Sequence, residues 1–224
     1  MYNCRKIFFS ATLVFTSFAA FSQKPQFSLA TDVSLIHNFK KGQRYWAVGQ
    51  TVSGQFHFTP KETLYVWLAY SSNGKFTNEL TAFAKDTATI PQQVNYKNHA
   101  KLRFNHFSIG WKHYLKGSYN AEENWNLYGY AGFGLLSGII ENNQTAVIDS
   151  ASYNISVLSG KGKFKRLTLD LGLGYEAPVG GDIFFYAEGR VFVPTTDYPS
   201  KYLFENDNAP FSGSFNLGFR ILFQ

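Results

Sequence analysis

The amino-acid sequence predicts an all-β protein, an eight-stranded antiparallel up-and-down transmembrane β-barrel. Three observations lead there. The segment from Phe211 to Phe223 alternates: Phe211, Phe215, Leu217, Phe219, Ile221 and Phe223 fall on one side, and Ser212, Ser214, Asn216, Gly218 and Arg220 on the other. Such a period of two is a strand with one apolar and one polar face. It is about twice the usual globular strand and long enough to cross a bilayer at a tilt. The composition agrees. Phe 23, Tyr 14 and Trp 4 make 18% aromatic residues, yet the mean hydropathy is only -0.19, as alternating lipid-facing and lumen-facing positions produce. Finally, tight turns alternate with long polar connections, the asymmetry of a barrel with turns in the periplasm and loops outside.

The chain opens with an export signal over residues 1–22. Arg5 and Lys6 supply the positive start, Ile7 to Phe21 the apolar stretch, and Ala20-Phe21-Ser22 a small-x-small cleavage site before Gln23. About fifteen apolar residues are short for a membrane-spanning helix. Cys4 is the sole cysteine and precedes the apolar stretch, so residues 23–224, the barrel, have neither disulfides nor thiolate metal sites.

Eight strands can be marked in order. The first, about Gln26–Asn38, turns Phe27, Leu29, Val33 and Leu35 outward and Ser28, Ala30, Asp32 and Ser34 inward. The second, about Tyr45–Phe58, turns Trp46, Val48, Val52, Phe56 and Phe58 outward, with Gln50 and Gly54 interrupting the row. The third, about Thr63–Ser72, has Leu64, Val66, Leu68 and Tyr70 outward. In the fourth, about Leu102–Leu115, Phe107, Ile109 and Trp111 face outward, and the parity breaks near Arg103–Asn105, where a bulge or the membrane rim would intervene.

The fifth, about Asn126–Ile140, sets Leu127, Ala131, Phe133 and Leu135 against Tyr128, Tyr130, Gly132 and Gly134. The sixth, about Phe164–Ala177, sets Leu167, Leu169, Leu171, Leu173 and Tyr175 against Thr168, Asp170, Gly172, Gly174 and Glu176. The seventh, about Ile183–Val193, puts Tyr186, Glu188 and Arg190 inward, and Phe211–Phe223 is the eighth. Thr59–Glu62, Pro178–Asp182 and 115–125 are turns. Residues 73–101, 141–163 and 194–210 are long loops, whereas the Lys40–Arg44 connection on that side is short. Trp111, Tyr114, Trp125, Tyr128 and Tyr175, at the turn-side ends, read as an interfacial aromatic girdle.

From Gln26 to Gln224 the chain resembles the small eight-stranded outer-membrane β-barrel proteins, the OmpA/OmpX-like barrel domains of Gram-negative bacteria. The signal, the eight-strand rhythm and the closing segment Phe215-Asn-Leu-Gly-Phe-Arg-Ile-Leu-Phe223 carry the resemblance. It implies an outer-membrane protein with a structural or surface-interaction role. In that family the last strand ends in an aromatic residue read by the barrel-assembly machinery; here Phe223 is penultimate. The resemblance also implies contact with outer-membrane lipid and lipopolysaccharide, and a surface ligand held by loops 73–101, 141–163 and 194–210. A small-solute channel or secretion-linked barrel component is the alternative.

Asp32, Asp170, Glu176, Glu188, Arg190 and Arg220 occupy inward positions. An eight-stranded interior is just wide enough for side chains to fill, so these residues are expected to pair as a polar network. His106-Phe107-Ser108 resembles the His-x-Ser pair of lipid A deacylases, with Glu122 or Glu123 as orienting acids. However, Ile109 stands where that family has Asn, and the outward Phe107, Ile109 and Trp111 turn His106 and Ser108 inward. No catalytic role, no cofactor and no metal site is therefore expected; His37, His57, His99 and His113 have no ligand-like spacing. Beyond the signal, 19 basic against 15 acidic residues give a mild excess with no basic stripe, and nucleic-acid binding is not indicated. Asp86-Thr87-Ala88 and Asp149-Ser150-Ala151 resemble the Asp-Ser/Thr-apolar O-glycosylation signal of exported proteins.

Overall fold

A computed structural model of the chain describes residues 26–196, 201–202 and 212–223. The export signal assigned to residues 1–22, Phe211, and most of the loop from 194 to 210 lie outside the described residues. Eight long strands form one sheet: β1 (Gln26–Asn38), β2 (Tyr45–His57), β3 (Glu62–Ala84), β4 (Gln93–Lys116), β5 (Asn126–Gln144), β7 (Gly160–Gly180), β8 (Ile183–Pro194) and β9 (Ser212–Phe223). A two-residue strand, β6 (Tyr153–Asn154), joins the outer end of β3 at Phe83 and Ala84. Each long strand pairs antiparallel with its neighbours in sequence, and β9 returns to β1. No backbone edge is left to face lipid, the condition for spanning a bilayer with strands.

The registers fix the shape of the cylinder. A walk across the pairs from Gln26 passes His57, Thr63, Lys112, Tyr130, Gly172, Arg190 and Ser214, and returns to β1 at Ile36. Closure is thus staggered by ten residues over eight strands. At about 3.3 Å per residue and 4.8 Å between strands, that stagger tilts the strands by roughly 40° and sets a radius of roughly 8 Å. Every residue on the walk faces inward, because antiparallel partners share a side.

The predicted parity holds on all eight strands. Leu29, Val33 and Leu35 on β1, Leu167, Leu171 and Leu173 on β7, and Phe215 to Phe223 in alternation on β9 are exposed, while their neighbours are buried or, at Gly172, half-buried. Between His37 and Phe27, Ser72 and Leu64, Asn105 and Trp111, or Leu167 and Ala177, the outward rows contain no Asp, Glu, Lys or Arg. At the periplasmic end, Glu62 on this outer wall bonds to His113 Nδ1 at 2.6 Å and to the Trp111 indole.

One expectation about the outer side is corrected and one alternative is decided. Residues 73–101 are mainly strand, since β3 and β4 run for 23 and 24 residues with only 85–92 between them, and β5 and β7 carry strand into 141–163 as far as Gln144 and from Gly160. Since a tilted crossing needs about nine to eleven residues, both hairpins continue well beyond the bilayer. Of the two readings of the parity break near Arg103–Asn105, the bulge is absent from β4 and the membrane rim is the one that fits. β4 keeps one parity from Tyr96 to Tyr114, and the bulge lies opposite, between Ser71 and Gly74 of β3, with Asn73 at φ 63°.

The physical reason is a reversal of polarity without a change of side. Within the bilayer Phe107, Ile109 and Trp111 face outward and His106, Ser108 and Lys112 inward. Beyond it Lys101 and Arg103 face outward and Leu102 and Phe104 inward, because the outside has become water.

Candidate functional site

The inward rows order the lumen from the periplasmic turns outward. Along β7 they read Glu176, Gly174, Gly172, Asp170, Thr168, Arg166 and Phe164; along β4, Tyr114, Lys112, Gly110, Ser108, His106, Phe104 and Leu102. Three layers of charge result, and an apolar collar lies above them.

The lowest layer is built on Glu176 and Arg220, both fully buried. Arg220 Nε donates to Glu176 Oε2 at 2.9 Å and Nη2 to Oε1 at 2.6 Å, a two-pronged bond that suits a planar guanidinium and a carboxylate. Its remaining donors reach Ser28 Oγ at 2.8 Å and the Tyr119 carbonyl at 2.6 Å. Lys112 Nζ lies 3.4 Å from Glu176 Oε2 and 3.7 Å from the centre of the Tyr128 ring. His57 bonds to Ser28 and Thr63 and stacks on Tyr119 at 4.3 Å. Tyr119 comes from the turn between β4 and β5, whose amide at Tyr119 bonds to the Pro60 carbonyl. Tyr119 is thereby buried over the periplasmic end of this layer.

In the middle layer Glu188 accepts from Arg190 at 2.7 and 2.8 Å, from Asn216 at 3.1 Å and from the Tyr128 hydroxyl at 3.0 Å. The Arg190 guanidinium packs 4.3 Å from the ring centres of both Trp67 and Tyr130, so ring faces meet the cation where Glu188 does not. Asp32 accepts from the Tyr186 hydroxyl at 2.7 Å and from Ser34 at 3.0 Å. In the upper layer His106 Nε2 lies 3.2 Å from Asp170 Oδ2 and 3.0 Å from Thr168 Oγ1.

Glycines make room for these groups. A Cβ on Gly134 would come within 2.6 Å of both Asp170 and Thr168, and one on Gly174 within 2.3 Å of the Tyr128 ring. The collar above comprises Ile36, Tyr45, Phe76, Leu102, Phe104, Leu136, Ile140 and Phe164. Between collar and charges a cavity of about 50 Å³ remains, space for very few water molecules.

The six charged residues singled out in the sequence divide among these layers: Glu176 with Arg220, Glu188 with Arg190 near Asp32, and Asp170 with His106. Lys112, His57 and Arg166 share the interior and were missed, although the outward Trp111 and Leu167 already fixed Lys112 and Arg166 on the inward row. Tyr114 and Tyr128, assigned to the girdle, are buried in the lumen beside Glu176 and Glu188; only Trp111, Trp125 and Tyr175 of that group are exposed to lipid. The parity of β4 and β5 wins over their position near the rim.

His106 and Ser108 are buried and point inward, and the acid beside His106 is Asp170 rather than Glu122 or Glu123, which lie in the far turn. Among the described residues no three His, Cys, Asp or Glu side chains converge as around a metal ion. Asp86 and Asp149 cap turns: Asp86 Oδ1 accepts from Thr89 Oγ1 at 3.0 Å and from the Ala88 and Thr89 amides at 2.9 Å, and Asp149 from Ala151 N at 2.9 Å and Ser152 Oγ at 2.7 Å. These bonds hold both carboxyls below the usual aspartate range. The two turns are joined, with Lys85 Nζ on the Ser150 carbonyl at 2.7 Å and the Tyr153 hydroxyl on that of Pro91 at 2.9 Å.

No family model matches the chain, and no curated protein matches its sequence. Solved structures do resemble it. Neisserial surface protein A superposes with a TM-score of 0.56 at 10% identity, over 88% of this chain and 97% of that one. OprG from Pseudomonas aeruginosa gives 0.53 at 11%, over 90% and 97%. Ail, the attachment invasion locus protein of Yersinia pestis, solved with the heparin analogue sucrose octasulfate, gives 0.50 at 12%, over 90% and 100%. At such identities the likeness is one of fold: this is the architecture of the small eight-stranded outer-membrane barrels.

Proposed function

We propose that this chain is an integral bacterial outer-membrane protein, exported through residues 1–22, whose sealed barrel anchors a surface-interaction element made of the β3–β4 and β5–β7 extensions. One observation carries the reading. The outward rows form an uncharged belt one bilayer deep, while inside that belt the charges are paired and the periplasmic mouth is covered by Tyr119. Asp32, Asp170, Glu176, Glu188, Arg190 and Arg220 serve as a structural plug in this reading, since paired and hydrogen-bonded charges offset much of their desolvation.

A sealed lumen turns attention outward. The joined tips at 85–92 and 145–159 present Ile90 and Val147 to solvent, 89% and 107% exposed, on hairpins too long for anchoring alone. The polyanion bound to Ail suggests one class of surface ligand. The last strand, closing on β1, would engage the assembly machinery. The lipid A hydrolase reading loses its support, because Ser108 Oγ faces the interior and not the acyl chains it would have to reach. Electrophoresis in detergent tests the proposal: folded protein should migrate differently from boiled protein and resist surface proteolysis except at the tips. Identical mobility before and after boiling would reject the barrel.

A further inference from the structure

The outer wall carries a directional basic face where the strands leave the bilayer. Lys75 of β3, Lys101 and Arg103 of β4, and Lys161, Lys163 and Lys165 of β7 all lie on outward rows and are all exposed. The registers place them side by side. One row across the strands reads Lys75, Lys101, Glu141 and Lys161; the next, Arg103, Ile139 and Lys163; the lowest, Asn105, Ser137 and Lys165. Six cations thus surround a single carboxylate, Glu141, over four adjacent strands. None of the six forms an ion pair among the described residues. On the far side of the barrel, the outward rows of β1, β2, β8 and β9 contain no lysine or arginine.

Height makes the face informative. Lys165 is one outward position above Leu167, and Arg103 is two above Phe107, both lipid-facing apolar residues. The lowest cations therefore stand about 7–13 Å along the strand from the last acyl-chain contact, at the depth of a lipid headgroup. Lysine and arginine stems lie along apolar wall and present their charge at the interface, and clustered cations beside an anionic leaflet each add to the attraction for its phosphates.

We infer that Arg103, Lys163 and Lys165, reinforced by Lys75, Lys101 and Lys161, form a binding site for a phosphorylated outer-leaflet glycolipid. Its phosphates meet the cations, and its acyl chains lie on Phe107, Leu135 and Leu167 below. A soluble sulfated glycan is the competing ligand for the same charge. Depth decides against it, because the lowest cations adjoin acyl chains rather than the loop tips. This inference rests on the outer-membrane reading proposed above.

The test uses the full chain in phosphatidylcholine nanodiscs, titrated with lipid A, enzymatically dephosphorylated lipid A, or heparin, and read by native mass spectrometry of retained lipid. The wild type should retain lipid A and lose it when Arg103→Gln, Lys163→Gln and Lys165→Gln are combined. A Lys61→Gln, Lys116→Gln control at the periplasmic end should retain it. Equal retention by the triple variant, equal retention of the dephosphorylated lipid, complete displacement by heparin, or no retention by the wild type each overturns the site. A normal heat-dependent mobility shift with no lipid preference defeats this inference alone; loss of the shift in the wild type defeats the barrel reading beneath it.

Discussion

Arg220 and Glu176 show how a single pair holds this interior. Their charges lie on β9 and β7, which are separated by β8 in the sheet, and meet inside the lumen with both prongs of the guanidinium engaged. Removing one partner leaves the other charged and buried, a cost of about 3–5 kcal/mol. Arg220→Met should lower unfolding stability in phospholipid vesicles by that amount, read by tryptophan fluorescence in urea. Adding Glu176→Gln should restore part of it, and an unchanged midpoint in the single variant would refute the plug. Steric demands are as sharp. Gly174→Val would press on the Tyr128 ring and cost about 1–3 kcal/mol, whereas Gly189→Ala, with open space before it, should change little. Equal effects would show that the lumen is looser than described. Parity already places Gly174 inward and Gly189 outward, but only the structure shows that Tyr128 is what crowds Gly174.

At the scale of elements, the informative feature is the reversal of polarity along β4. Its alternation continues through Arg103, Phe104 and Asn105, but the apolar row passes from the lipid side to the lumen side. Read without coordinates, that exchange looks like a break in parity, which is why the strand seemed to begin near Leu102 and the preceding residues seemed to be loop. The tips beyond the strands are fastened by Asp86 and Asp149, and their folded-state acidities imply a pH dependence. Because hydrogen bonds to the ionised carboxylates depress both pKa values, the caps are fully made above the ordinary aspartate range and are lost as pH falls through the lowered values. Protection factors at Ala88, Thr89 and Ala151, taken against intrinsic exchange at each pH, should fall only in that acid window, with strand amides unaffected. Protection factors constant with pH there would remove the capping role. The same capping accounts for the aspartates of both Asp-Thr-Ala and Asp-Ser-Ala, so those tripeptides have a structural reason to exist apart from any sugar.

For the whole molecule, a stagger of ten over eight strands sets a radius that side chains fill, and here aromatic rings and paired charges fill it. No sustained ion current is therefore expected from the folded protein in planar bilayers; steady single-channel steps would favour the solute-path alternative. The sequence by itself determined the strand count, the facing of nearly every residue within the bilayer, and the inward place of the six charges, because a period of two is a local property of the backbone. Which charge meets which, how Tyr119 covers the mouth, and how cations from three strands align on one outer face were decided only by closure of the ring. Register is a relation between strands far apart in sequence, and no local pattern carries it.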